Sequence, residues 1–147
     1  MIVTGPIGTG KTTRLIEWSS KVEGVFGIAT PIVVGNRVFY NLRTKDIFPM
    51  EVEESESEVF SVGKYHFSKH SFRKAENIIE EEVSSSKYLV IDEIGPMELR
   101  GDGFNDLLIR LIENDTSESK LVIVVREKLL AQVLEKYGIK DFEIFSV

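Results

Sequence analysis

The chain has 147 residues, 42% of them hydrophobic, with a formal net charge of −6 and no cysteine. These values fit one soluble globular domain over residues 1–147. They exclude disulfides, thiolate catalysis and cysteine-ligated zinc, and an acidic chain lacks the whole-domain footprint of a nucleic-acid binder, so nucleic acid is not an expected partner.

In chain order, Met1–Thr4 reads as a short strand and Lys11–Val22 as a helix with Leu15, Trp18 and Val22 on one side, Trp18 belonging to the core. Residues 25–52 are rich in β-branched and aromatic side chains, and Gly35-Asn36 between two such runs is a hairpin signal, because both residues tolerate positive φ. Glu51–Glu58 reads as an acidic loop and Gly63–Phe67 as another. Ser68 or Ser71 is placed to cap a helix running to about Ser84, with Phe72, Ala75, Ile79 and Val83 at helical spacing. Tyr88–Ile91 is a buried strand ending in two acids. Phe104, Leu107, Leu108, Leu111 and Ile112 follow the pattern of an amphipathic helix. Leu121–Val125 is an apolar strand, and at five residues it is far too short to cross a bilayer. Leu129, Leu130, Val133, Leu134 and Tyr137 form a further helical stripe ending at Gly138, and residues 142–147 suit a last strand. Strands alternating with helices imply an α/β fold with a mostly parallel sheet and an antiparallel hairpin insertion around residues 25–52.

The stretch TGPIGTGKTTR, Thr4–Arg14, satisfies G-x-x-x-x-G-K-[ST]. Its chemistry is specific: glycines let the backbone curl so that N–H groups converge on phosphate oxygens, and the following helix N-terminus adds partial positive charge. Gly5, Pro6, Ile7, Gly8, Thr9, Gly10, Lys11, Thr12 and Thr13 form the expected nucleotide-binding set. Lys11 neutralises the β- and γ-phosphates, and the Thr12 hydroxyl ligates magnesium. The strand end KYLVIDEIG supplies Asp92 as the second magnesium ligand and Glu93 to orient or deprotonate an attacking water. Alone, the two acids could equally be solvated residues past a strand end. Arg126 follows directly on a buried strand and reads equally as a group for γ-phosphate charge or as a solvated turn arginine.

Other features point less far. His66 and His70 have metal-pair spacing, but a loop-to-helix junction falls between them and no third ligand is at hand, so no site is assigned. Lys64, Lys69, Arg73 and Lys74 form a local basic cluster that reads first as a solvated helix face. The guanine-reading N-K-x-D motif and the kinase H-R-D motif are both missing.

VTGPIGTGKTTRLIEW, VGKYHFSKHSF and above all LVIDEIGPMEL resemble the small nucleoside-triphosphatase family that includes thermophilic NTPases and the cancer-related nucleoside triphosphatase. GVFGIATP and GNRVFY are weaker echoes. The resemblance implies a P-loop NTPase three-layer sandwich, magnesium dependence and hydrolysis of nucleoside triphosphates with loose base preference. It carries the loop residues, Asp92 and Glu93 into the site and adds Glu98 and Arg126. Ile32 departs from the pattern, since the family often has an acid after Thr-Pro, and the chain stops at Val147 where relatives commonly continue into a helix. Two other readings stay open here: a nucleotide or small-molecule kinase, and a nucleotide-switched binding module in which the triphosphate orders residues 61–70. The first residues lack a charged segment followed by an apolar one, and the expectation is a cytoplasmic, monomeric protein.

Overall fold

The computed structural model describes residues 1–55, 58–114 and 118–146. Five parallel strands make the centre of the main sheet. They are β1 (Ile2–Gly5), β2 (Val25–Ala29), β9 (Tyr88–Ile94), β10 (Lys120–Arg126) and β11 (Ile144–Ser146), side by side in the order β11-β1-β10-β9-β2. Beyond β2 the sheet turns antiparallel through β4 (Asn36–Asn41), which pairs with β2, with β3 (Ile32–Val33) and with β5 (Ile47–Pro49). A second, three-stranded antiparallel sheet, β6-β8-β7, comprises β6 (Glu51–Val52), β7 (Val59–Val62) and β8 (Tyr65–Ser68).

The continuous apolar runs of the parallel strands are explained by burial on both faces. Alternate residues Val3, Val25, Val90, Val122 and Val124 pack under α1 (Lys11–Lys21) through Leu15. The residues between them, Ile2, Ile28, Leu89, Ile91, Ile123 and Val125, face α2 (Lys69–Glu82), α4 (Asn105–Glu113) and α5 (Leu130–Tyr137). Helix, sheet and helices form the three layers expected. Ser68 is the cap of α2: its Oγ accepts the Ser71 N–H at 3.1 Å. Gly138 closes α5 in the left-handed region, at φ 61°.

Several boundaries differ from the sequence reading. Val25–Ala29 is a strand of the parallel sheet, pairing parallel with β9 on one side and antiparallel with β4 on the other, and further antiparallel pairings follow between Ile32 and Ser68. A short β-rich run cannot declare its partner, and direction is decided by the long-range pairing with Tyr88–Ile91. The hairpin turn is Val34-Gly35, one residue earlier than expected, with both residues at positive φ (49° and 79°). Glu51–Val52 is a strand, Glu56 and Ser57 lie outside the described residues, and Tyr65–Phe67 belongs to β8. Trp18 is half-buried, meeting Tyr88 edge-on at 5.1 Å at the rim of the core.

Phe39 of β4 is fully buried among Phe48 (5.3 Å between ring centres), Phe72 (5.0 Å) and Phe104 (5.9 Å). Each such ring pair adds about 0.5–1.5 kcal/mol beyond its buried area. The cluster anchors the antiparallel region to α2 and to the start of α4, and so fixes what β4 presents two residues earlier.

Candidate active site

The C-terminal ends of β1, β10 and β9 meet at one edge of the sheet. Register places Gly5 beside Arg126 and Val125 beside Ile94, which brings the glycine-rich loop, the arginine and the two acids together. The loop curls through Gly8 and Gly10 at φ 78° and 77°, a backbone that a side chain at either position would strain. Lys11 opens α1, is 7% exposed, and donates from Nζ to the carbonyls of Gly5 (3.1 Å) and Pro6 (2.6 Å). Its ammonium is thereby held in the mouth of the loop. Thr9 Oγ1 donates to the Pro6 carbonyl at 2.8 Å.

Asp92 lies inside β9 rather than past its end and is 1% exposed. Its Oδ2 accepts three hydrogen bonds, from Thr12 Oγ1 (2.8 Å), Thr30 N–H (2.9 Å) and Thr30 Oγ1 (3.1 Å). Its Oδ1 accepts none; among the described residues it and Thr4 Oγ1, at the foot of the loop, are the buried side-chain polar atoms left without a partner. Burial pushes the Asp92 carboxyl above the usual range, and the bonds from Thr30 and Thr12 oppose that push. A buried carboxylate oxygen without a donor is costly, and a bound cation or a proton would remove that cost. The donors at hand, a hydroxyl and a carboxylate, are the hard oxygens magnesium prefers. No group of three His, Cys, Asp or Glu side chains able to hold a metal occurs among the described residues; a cation held by Thr12 and Asp92 would need further oxygen ligands from outside the chain.

Glu93 sits in the left-handed region at φ 56°. The cause is a bulge: between the pairs Ile91–Ile123 and Ile94–Val125, β9 has two residues where β10 has one. Such irregularities re-aim side chains beside functional sites at a cost of order 1–3 kcal/mol. Glu93 Oε2 faces two guanidiniums, Arg37 at 3.3 Å and Arg126 at 3.6 Å.

Glu98 is 1% exposed in α3 (Pro96–Leu99) and caps that short helix. Its Oε2 accepts the Gly95 N–H (2.9 Å) and its Oε1 the Phe104 N–H (3.1 Å). Burial raises its pKa to about 7. Both oxygens are therefore occupied by backbone.

A cleft of about 590 Å³ opens over this edge, with Lys11, Glu93 and Arg126 among the polar groups lining it and Ile7, Ile32, Tyr65 and Met97 among the apolar ones. Sequence reasoning missed two residues, Thr30 and Arg37. The signals were present in Thr30-Pro31, a polar residue ending an apolar strand, and in Gly35-Asn36-Arg37, but nothing local told that either faces Asp92 or Glu93. The basic cluster is spent locally: Lys64, Lys69 and Lys74 lie over the rings of Tyr65, Phe60 and Phe48, and Arg73 pairs with Glu58. His66 Nδ1 pairs with Ser61 Oγ at 2.8 Å in the β7–β8 hairpin, whereas His70 lies in α2.

A family model described as NTPase matches residues 1–147. The nucleoside-triphosphatase THEP1 of Sulfurisphaera tokodaii is 27% identical over 154 residues, spanning 99% of this chain and 83% of that protein. The protein of the same name from Saccharolobus solfataricus is 30% identical over 122 residues, spanning 78% and 70%. Among solved structures, the solution structure of a human cancer-related nucleoside triphosphatase aligns with a TM-score of 0.70 at 29% identity, covering 100% of this chain and 87% of that one. The crystal structure of THEP1 from Aquifex aeolicus aligns at 0.74 with 19% identity and the same coverage, which speaks for the fold.

Proposed function

The chain belongs to the NTPase family and is a nucleoside triphosphatase, and from that premise we propose that it hydrolyses nucleoside triphosphates in a magnesium-dependent reaction with loose base preference. The observation that carries the metal requirement is Asp92: three donors converge on one oxygen while the other, equally buried, has none. The relatives' name, which specifies no base, and the missing guanine-reading motif support loose selectivity. The hydrolase names of the relatives favour neither the kinase nor the switch reading.

Thr12 Oγ1 and Asp92 would hold magnesium, which when bound neutralises charge on the β- and γ-phosphates. Lys11 and the backbone N–H groups of residues 7–13 bind the phosphates and hold the charge that develops as the bridging oxygen departs. Glu93 orients the attacking water and takes its proton as the oxygen–phosphorus bond forms. Arg126, whose side chain is more than a third exposed, is free to turn onto the γ-phosphate. Glu98 supports from behind, since its cap fixes Gly95, two residues from Glu93. No helix among the described residues is long and apolar enough to cross a membrane.

The test is phosphate release from ATP, GTP, CTP and UTP, each with magnesium or with excess EDTA. All four should be hydrolysed with magnesium and none with EDTA. Glu93→Gln should slow turnover by about a hundred-fold or more with triphosphate binding retained. Activity surviving EDTA contradicts the metal role, and turnover confined to one base contradicts loose selectivity.

A further inference from the structure

Arg37 and Arg126 both face Glu93, but they are held differently. Arg126 makes one ion pair, 3.6 Å long. Arg37 is anchored on three sides. Its backbone N–H donates to Glu51 Oε2 of β6 at 3.1 Å, its Nη1 donates to the Thr30 carbonyl at 2.9 Å, and the same nitrogen lies 3.3 Å from Glu93 Oε2. Thr30 in turn gives its N–H and its hydroxyl to Asp92 Oδ2. One residue, Thr30, therefore separates Arg37 from Asp92, and no residue separates it from Glu93. Phe39, two residues on along the same strand, is fully buried and fixes β4 against α2 and α4.

Resting on the reading of Glu93 as the water-orienting group, we propose that Arg37 is a positioning residue that holds the Glu93 carboxylate in register with Asp92 through Thr30. A bulge turns its side chain out of the strand's regular alternation, and Arg37 and Arg126 are cations that meet Glu93 there. A guanidinium suits that role, since the two N–H groups of Nη1 have fixed directions and that one nitrogen meets both a carbonyl and a carboxylate, whereas the donors of an ammonium rotate on a flexible stem. The ion pair itself is partly exposed and contributes little to folding. Its loss therefore affects turnover more than stability.

The experiment is steady-state phosphate release from magnesium-ATP by the wild type, Arg37→Ala, Arg37→Gln, Arg37→Lys, Glu93→Gln and the Arg37→Ala/Glu93→Gln double variant, with thermal unfolding of each. Arg37→Ala should lower kcat about 10- to 100-fold, the usual loss when an outer partner of a site ligand is removed, with KM nearly unchanged. Arg37→Gln keeps a donor for the Thr30 carbonyl and guards against a folding defect; it should lower kcat similarly. Arg37→Lys should recover a minor part. In the Glu93→Gln background Arg37→Ala should cost almost nothing more, because the group it positions has already lost its charge. A raised KM with kcat preserved would make Arg37 a phosphate contact and overturn the proposal. Effects that multiply in the double variant overturn it too, as does wild-type kcat in Arg37→Gln. If Glu93→Gln alone is harmless, the water-orienting role itself fails and this inference falls with it; if Glu93→Gln is damaging and the Arg37 variants are not, only this inference fails.

Discussion

Asp92 and Glu98 are six residues apart, both 1% exposed, and both pushed upward in pKa by burial, yet their surroundings differ in kind. Glu98 has one backbone N–H on each oxygen and caps the helix that follows the site. Asp92 has three donors on one oxygen and none on the other. One buried acid is thus satisfied at both oxygens and the other at one only. The half-satisfied acid is the one facing the phosphate loop. Support also extends past Glu98's side chain: its carbonyl accepts Lys136 Nζ (2.7 Å) and Tyr137 Oη (3.3 Å), tying α3 to α5.

The largest expected effect breaks the Asp92 side of this contrast. Asp92→Asn keeps the shape and an oxygen for the three donors but removes the negative charge. Turnover should fall by on the order of a hundred-fold or more, and magnesium titration of activity should lose its saturation. The unfolding midpoint should stay close to that of the wild type, because a desolvated charge is lost together with its ligand role. A large loss of stability with magnesium dependence kept would reverse the assignments of the two acids.

Gly103→Ala attacks the other side. Gly103 has φ +57°, and a Cβ there would stand 2.3 Å from Glu98 Oε1 and 3.1 Å from its Cδ. Strained backbone and a displaced cap together should cost about 2 kcal/mol in urea unfolding, while magnesium dependence of the folded fraction stays as it was. Unchanged stability would mean that the Glu98 cap is dispensable.

The smallest effect is a pH dependence. The folded-state pKa of Glu98, about 7, lies above the 4.5 of an ordinary glutamate. The folded protein therefore holds a proton that the unfolded chain releases. That contribution is fully present below about pH 4.5 and is lost as pH rises through about 7. Glu98→Gln removes it, and also leaves one buried backbone N–H facing an amide donor. Its destabilisation should be larger near pH 5 than near pH 8, by about 1–2 kcal/mol. Burial raises Glu76 and Glu82 in the same direction, so some pH dependence should survive in the variant. Equal destabilisation at the two pH values would mean that Glu98 is ionised throughout.

The sequence by itself determined what is local or periodic. The glycine-rich loop was legible as a candidate phosphate cradle because glycine spacing, a lysine and a hydroxyl are one contiguous device, and the helices and apolar strands because burial imposes a period. The α/β class followed from their alternation. Tertiary structure decided the rest, for a physical reason in each case. That Val25–Ala29 runs parallel to β9 depends on a partner about sixty residues away in the chain. The bulge that turns Glu93 exists only as a mismatch between β9 and β10. Nothing in PMEL shows that the N–H groups of Gly95 and Phe104 take both oxygens of Glu98. Thr30 and Arg37 stayed out of view because a side chain's charge is written in the sequence, whereas the atom it meets is fixed only when two sheets and the Phe39 cluster close around it.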